Sequence, residues 1–179
     1  MPNIVRPALL ASALVITLST PCPCPATELR GGEIPLPPYF ERNDGQVDAS
    51  VRFVARGRIG DLFVRDRDLV VSAPDLDATV HVEVAGGRPA RVAGLDPLPG
   101  VSNYLRGRDA SGWVRGAPHF GSVRCEGALP GVDIVVRANG DAAFEYDLVL
   151  APGVNPSAVR LRFRGADALR LERDGSLVA

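Results

Sequence analysis

The segment Val132–Leu150, VDIVVRANGDAAFEYDLVL, decides the fold because it describes two strands joined by a turn. Apolar side chains occupy every second position in both halves of the segment, on either side of Asn139-Gly140. A period of two that is interrupted by Asn-Gly is the strongest local signal for a β-hairpin. One apolar face of this hairpin must then be covered by the rest of the chain, since a single hairpin is not stable alone.

The same segment predicts a register for the hairpin. A two-residue Asn-Gly loop would place Ile134 opposite Glu145, and a shift of one residue moves an apolar set to the wrong face. We therefore expect a three-residue loop, Asn139–Asp141. This loop pairs apolar residues across the hairpin: Val136 with Phe144, Ile134 with Tyr146, and Val132 with Leu148.

Other alternating segments surround this hairpin, and none has a helical period longer than two turns. They are Val51–Ala55, Leu62–Val64, Leu69–Ser72, Ala78–Val84, Ala158–Phe163 and a last small hairpin formed by Ala168–Glu172 and Gly175–Val178. Gly94–Gly100, GLDPLPG, is predicted as a crossover rich in turns. The pattern predicts an all-β fold, either an antiparallel β-sandwich or two packed sheets, with many short strands and hairpins.

The first 26 residues have the pattern of a signal peptide. Arg6 precedes an apolar run of eleven residues, Ala8–Leu18, which is too short to span a bilayer as a helix. Small residues before Thr27 predict cleavage after Ala26, and lipidation at Cys22 is the alternative. An exported protein with no membrane span after cleavage is therefore expected, in the periplasm, at the cell surface or outside the cell.

Residues 27–38 are rich in Gly, Pro and Glu and are predicted to form a linker, followed by a β-rich module over residues 39–179. After cleavage Cys125 is the one remaining cysteine, and its alternation with Arg124 and Glu126 predicts a buried side chain. Disulfides therefore do not stabilise the module, and an apolar core must do so.

The charge pattern argues against a nucleic-acid partner. The 20 basic residues are all Arg, they are interspersed with 21 acidic residues, and the formal net charge is −1. Nucleic-acid binding is usually marked by a basic patch or tail, and the chain has none.

Three carboxylates of the central hairpin, Asp133, Glu145 and Asp147, are predicted to share one face, with Asp133 opposite Asp147. Close carboxylates repel unless a cation or Arg compensates them. A calcium site is one hypothesis. The alternatives are a solvated face paired with Arg137 or with the row Arg160, Arg162 and Arg164, and an acid pair of the glycosidase type.

Trp113 and Tyr104 are candidates for a flat ligand platform, such as a sugar-binding face, and core packing is the alternative. The two histidines, His81 and His119, are too far apart in sequence to indicate zinc. Ser102 has no nucleophile-elbow context. A secreted hydrolase would need His119 to converge with the hairpin carboxylates in a cleft.

Four motifs together resemble the N-terminal domain of unknown function in bacterial SBBP (seven-bladed β-propeller) repeat-containing surface proteins. Phe40–Gln46 resembles FEPNxGQ, and Gly94–Leu105 resembles GLDxLPGxSNYF. Leu129–Val136 is similar to YPGIDLVYY, and Phe144–Gly153 to LEYDFVVAPG. Their order and spacing agree over almost the whole predicted module.

The resemblance implies an exported, surface-associated β-rich module that is usually followed by a β-propeller, and it supplies no catalytic residues. The chain has Leu129 where the family tends to have Tyr, and it ends at Ala179 where relatives continue. A module truncated at its C-terminus, with the propeller or another surface protein as partner, is therefore expected. We expect a non-enzymatic structural or protein-interaction role, and the alternatives are a carbohydrate-binding module and a secreted hydrolase.

Overall fold

The computed structural model describes residues 38–57, 60–138, 144–166, 168–171, 173 and 177–178. The predicted signal peptide, all of the predicted linker except residue 38, and residues 139–143 of the central hairpin lie outside the described residues.

The described residues form strands with three short 3-10 helices, so the all-β prediction is confirmed. The strands are β1 Phe40–Arg42, β2 Val51–Arg56, β3 Asp61–Arg65, β4 Asp68–Ala73, β5 Ala78–Val84, β6 Arg91–Tyr104, β7 Val114–Leu129, β8 Val132–Ala138, β9 Phe144–Leu150, β10 Leu161–Arg164, β11 Arg170–Leu171 and β12 Leu177–Val178. The 3-10 helices are Pro74–Leu76, Ala110–Gly112 and Pro156–Ala158.

Ten strands join in one antiparallel sheet instead of the two separate sheets that were among the expectations. The order is β10-β5-β4-β3-β2-β1-β7-β8-β9, with β6 also paired to β7, while β11 and β12 pair with each other. The short strand β1 makes the sheet continuous because it bonds to both β2 and β7. Phe40 lies opposite Ala55 on one side and opposite Phe120 on the other.

The sheet curls, so that side chains from its two halves meet in one apolar core. Leu62, Val64 and Leu69 from β3 and β4 belong to the same cluster as Cys125 and Ile134 from β7 and β8. Phe40 and Val64 are fully buried. Because burial of such a side chain contributes about 1.5–3 kcal/mol, a core of this kind can stabilise a domain that has no disulfide among its described residues.

The predicted register of the central hairpin is wrong by two residues. Val132 lies opposite Leu150, Ile134 opposite Leu148, and Val136 opposite Tyr146. A shift of two residues leaves every side chain on its predicted face, so the apolar face of β8 still lies in the core. The observed register places Leu150 and Leu148 opposite the buried Val132 and Ile134, while Tyr146 lies opposite the buried Val136 and is 41% exposed.

The predicted crossover Gly94–Gly100 is also wrong, because this segment lies within β6. Prolines are tolerated there because β6 is hydrogen-bonded on one side only, to β7. A bulge between Leu98 and Val101, and the left-handed φ of 54° at Asp96, absorb the irregular sequence.

Other local predictions are confirmed. The predicted second hairpin is β3–β4, in which Val64 lies opposite Leu69. The last small hairpin is the pair β11–β12. The strand predicted at Ala158–Phe163 begins only at Leu161, since Pro156–Ala158 form a 3-10 turn, but its arginines still face outward.

Candidate functional site

Buried polar groups mark the most unusual place in the sheet. Among the described residues the buried polar or charged side chains are Glu41, Gln46, His119 and Ser122. A buried polar group is costly unless it is hydrogen-bonded. Glu41, Gln46 and His119 lie together where β1 meets β6 and β7. We call these three residues, with Ser102 and Tyr104, the polar cluster.

Glu41 is the centre of the polar cluster. The residue lies on β1, opposite His119 of β7. Its Oε1 atom accepts a hydrogen bond from Gln46 Nε2 at 2.8 Å and one from the Tyr104 hydroxyl at 2.6 Å. Its Oε2 atom lies 3.9 Å from His119 Nε2. The carboxylate therefore joins β1, the turn after it, and both strands of the β6–β7 hairpin.

His119 is held from several sides. Its Nε2 atom lies 2.8 Å from Ser102 Oγ, and its ring stacks on Tyr39 with 3.8 Å between ring centroids. A Cβ atom at Gly100 would lie only 2.7 Å from His119 Nδ1, so a side chain at this position would collide with the ring. Burial lowers the pKa of His119, while the Glu41 carboxylate acts in the opposite direction. The imidazole is therefore held in its neutral form more readily than in water.

A serine beside a histidine is one part of a nucleophilic triad, but the remaining geometry differs from one. In a triad the acid binds the ring nitrogen that faces away from the serine and so orients the imidazole. Here Ser102 Oγ and Glu41 Oε2 both lie near Nε2, and Gly100 packs against Nδ1. The contacts at Nε2 link β1, β6 and β7, and Glu41 does not orient the imidazole from the far nitrogen as the acid of a triad does.

The carboxylates of the central hairpin are not brought together as expected. Asp133 lies opposite Val149 and not opposite Asp147, so the predicted pairing of the two aspartates is wrong. Asp133 pairs with Arg124 and accepts a hydrogen bond from the Gly127 N–H. Partial burial opposes ionisation of Asp133, but these two partners together lower its pKa.

The other two carboxylates of that face lie beside arginine. Asp147 pairs with Arg137, and Glu145 lies opposite the same arginine. In the part of the chain that the structure describes, no three His, Cys, Asp or Glu side chains are grouped so that they could hold a metal ion. Pairing with Arg137, which was one of the alternatives, is seen for Asp147, whereas Asp133 pairs with Arg124.

Trp113 and Tyr104, the predicted platform, lie at the same end of the β6–β7 hairpin. Tyr104 is opposite Val114, the neighbour of Trp113. The Trp113 indole is partly buried and donates from Nε1 to the Gly107 carbonyl at 3.2 Å. Tyr104 is also partly buried, and its hydroxyl is used by Glu41. The two rings are therefore close along the hairpin, but each has an internal role.

The sequence alone did not predict that Glu41 and Gln46 lie together with the Ser102–His119 contact. The signal was present in two of the motifs, since FERNDGQ contains Glu41 and Gln46, and the GLDPLPGVSNY segment contains Gly100, Ser102 and Tyr104. A second contact has the same origin: Asp96 of that segment accepts a hydrogen bond from the buried Ser122 hydroxyl at 2.7 Å.

The fold and the polar cluster define an all-β domain built on one curled sheet whose buried polar groups join β1 to the β6–β7 hairpin. Residues 40–179 match the model of a family described as domain of unknown function DUF7948, and the chain belongs to this family. No curated protein and no solved structure gave a significant match. Within the described residues, no helix has the length and apolar character needed to cross a bilayer.

Proposed function

We propose that this protein is a non-enzymatic, exported module of the type found in SBBP-repeat surface proteins, with a structural or protein-interaction role. The observation that carries the proposal is that the side chains with catalytic potential form hydrogen bonds within the protein. Glu41 is hydrogen-bonded by Gln46 and Tyr104, and Ser102 is engaged with His119. These contacts link strands to one another and support a structural role for the reactive side chains.

The motifs of the resemblance support this reading, because their residues have structural tasks. A Cβ atom at Gly94 would lie 2.5 Å from the Phe120 ring, so the glycine allows the ring to pack against β6. Asn43 donates to the carbonyls of Asp48 and Val51 and so closes the turn between β1 and β2. The export part of the proposal rests on the signal-peptide pattern of residues 1–26.

An activity screen tests the non-enzymatic part. The purified protein and its S102A and H119A variants are incubated with panels of p-nitrophenyl esters and p-nitrophenyl glycosides. We expect the wild-type protein to release no more nitrophenol than the S102A variant. Turnover by the wild-type protein that S102A or H119A abolishes would overturn the proposal.

A reporter fusion tests export. Residues 1–26 are fused to an alkaline phosphatase that is active only outside the cytoplasm, and the matched control replaces Leu9, Leu10 and Leu18 by Asp. We expect phosphatase activity from the first fusion and none from the second. Equal activity in both, or none in either, would contradict export by this segment.

A carbohydrate-binding module is the second candidate, because Trp113 keeps part of its ring surface exposed at the hairpin end. Against it, the Arg115 guanidinium lies 5.1 Å from the centroid of the Trp113 ring and covers one face. A glycan array with the wild-type protein and a W113A variant tests this candidate. Binding that W113A removes would favour it over a protein-interaction role.

A further inference from the structure

The β6–β7 hairpin extends beyond the rest of the sheet. The strand β1 pairs with β7 only at His119 and Phe120, so residues 114–118 have only β6 as a neighbouring strand. We call the exposed end of this hairpin the hairpin tip, and it comprises Val101, Leu105, Arg106, Arg108, Trp113 and Arg115.

We propose that the hairpin tip binds an acidic segment of a partner protein that also carries apolar side chains. This inference rests on the proposed protein-interaction role and names the surface and the chemistry of the partner. The three observations that carry it are exposed aliphatic side chains, unpaired arginines, and the stacking of two of these arginines on aromatic rings.

The aliphatic side chains at the tip are unusually exposed. Leu105 is 56% and Val101 54% exposed, the highest values among the exposed large hydrophobic residues of the described chain. Isolated apolar residues on a surface need no explanation. Leu105 follows Tyr104, which lies opposite Val114, so it is at the same end of the hairpin as the partly exposed Trp113. Val101 lies further along β6, opposite Pro118. Exposed apolar side chains gain free energy when a partner's apolar side chains cover them.

The charge at the tip is positive and not compensated locally. Within the described part of the chain, Arg106, Arg108 and Arg115 form no ion pair with a carboxylate, whereas eight arginines elsewhere do. Arg65, Arg67, Arg88 and Arg160 also form none with the described residues, but they lie outside the tip. The one carboxylate in the segment between β6 and β7, Asp109, accepts a hydrogen bond from the Ser111 N–H. A negatively charged partner is therefore complementary to the tip, although the whole chain has a net charge of −1.

Two of the arginines are already held in place. The Arg106 guanidinium lies 5.2 Å from the centroid of the Tyr104 ring, and that of Arg115 lies 5.1 Å from the centroid of the Trp113 ring. Stacking of this kind leaves the N–H groups of the guanidinium free for bidentate hydrogen bonds to a carboxylate. Because the side chains are pre-positioned, less entropy is lost on binding.

A protein segment fits these features better than a polyanionic glycan. The acidic groups of a glycan would pair with the arginines, but its sugars would leave Leu105 and Val101 uncovered. In addition, Arg106 and Arg115 cover faces of the Tyr104 and Trp113 rings on which sugars would stack. Arginine and tryptophan are also the residues that most often dominate the binding energy of protein interfaces.

Fluorescence anisotropy tests the inference. The probe is a short fluorescein-labelled peptide in which Glu and Leu alternate, titrated with the purified protein. Matched control peptides carry Gln in place of Glu, or Ser in place of Leu. Full-length heparin represents the polyanionic glycan.

We expect the Glu-Leu peptide to bind, and both control peptides to bind roughly tenfold more weakly or less. The R106A/R115A double variant should lose roughly tenfold in affinity, L105A should lose several-fold, and the R67A control should bind as the wild type does. Arg67 is an exposed arginine of the β3–β4 turn and lies outside the tip. Unchanged circular dichroism of each variant confirms that it is folded.

No binding of the Glu-Leu peptide, or binding that the tip variants leave unchanged, would overturn the inference. Binding of heparin but not of the peptide would also overturn it, in favour of a glycan. Each of these results leaves the non-enzymatic proposal standing, because that proposal fails only if the purified protein shows turnover that depends on Ser102 or His119.

Discussion

The Tyr104 hydroxyl donates a hydrogen bond of 2.6 Å to Glu41 Oε1, and so joins two residues that lie 63 positions apart in the chain. Burial, together with the neighbouring carboxylate of Glu41, raises the pKa of Tyr104, so the phenol keeps the proton that it donates. The contact links β1 to the β6–β7 hairpin. Since β1 connects the two halves of the sheet, this hydrogen bond acts at the point on which the continuous sheet depends.

Removing the Glu41 carboxylate should destabilise the domain. In an E41A variant the Tyr104 hydroxyl and one N–H of the Gln46 amide lose their acceptor, while Gln46 Nε2 keeps its hydrogen bond to the Arg42 carbonyl. Each unsatisfied buried group costs about 1–3 kcal/mol. We expect the free energy of unfolding to fall by about 3 kcal/mol in a urea titration. The control is E126A, on the exposed part of β7, which should change it by about 0.5 kcal/mol or less. Equal effects of the two substitutions would contradict the buried role of Glu41.

The stability of the domain should decrease at acid pH because of His119. Burial lowers the pKa of His119 in the folded protein below that of the unfolded chain, so the unfolded state binds the proton more readily. The contribution of His119 is therefore complete above pH ~6.5, the usual histidine pKa, and is lost as the pH falls through the lowered folded pKa. Urea midpoints measured between pH 7.5 and pH 5 should decrease less in an H119Q variant than in the wild type.

The matched control for that experiment is H81Q. His81 is the other histidine, and its Nδ1 atom lies 2.7 Å from Asp68 Oδ2, on a different part of the sheet. The same pH series is measured for H81Q beside H119Q and the wild type. If H119Q kept the full wild-type pH dependence, the assignment to His119 would be wrong.

The thiol of Cys125 should not react in the folded protein. Cys125 is 3% exposed in the core, and burial, with smaller contributions from Asp66 and Asp133, raises its pKa to about 12. The reactive thiolate is then almost absent at neutral pH. In a C22S/C24S variant, which leaves Cys125 as the one thiol, we expect Ellman's reagent to react only after unfolding in urea. Rapid modification of this variant in its native state would show that the core is open at β7.

A methyl group at Gly94 should disturb the packing of Phe120. The Cβ atom of G94A would lie 2.5 Å from the Phe120 ring, which itself packs edge-on against Phe53. Overpacking of this kind costs about 1–3 kcal/mol. The control is G112A, where an added Cβ meets no atom within 4 Å and φ is not left-handed. We expect a lower melting temperature for G94A alone, and equal melting temperatures would contradict the close contact.

The parts of the fold that depend on neighbouring residues were predictable from the sequence. The hairpin β3–β4 and the alternation of β5 and β8 follow from apolar periodicity over a few residues, and the burial of Cys125 follows from its place in such a pattern. These features need no knowledge of distant partners, because a strand with one apolar face has only one way to turn it toward a core.

The parts that depend on the position of a strand within the sheet were not predictable. Prolines in β6 indicate turns locally, but they are tolerated because β6 has a single hydrogen-bonded neighbour. The register of β8–β9 changes by two residues without moving any side chain to the other face, so the alternating pattern alone does not fix it. The polar cluster needed the placement of β1 between β2 and β7, which only the long-range pairing of the strands provides.

The most direct test of the structural role of the polar cluster is a double-mutant cycle between Glu41 and Tyr104. The free energies of unfolding of wild-type protein, E41A, Y104F and the double variant are measured by urea titration at pH 7.5. We predict a coupling of about 1 kcal/mol or more, because each substitution removes the same partly buried hydrogen bond. Additive effects, with no coupling between the two residues, would contradict the account of this hydrogen bond as a link between β1 and the β6–β7 hairpin.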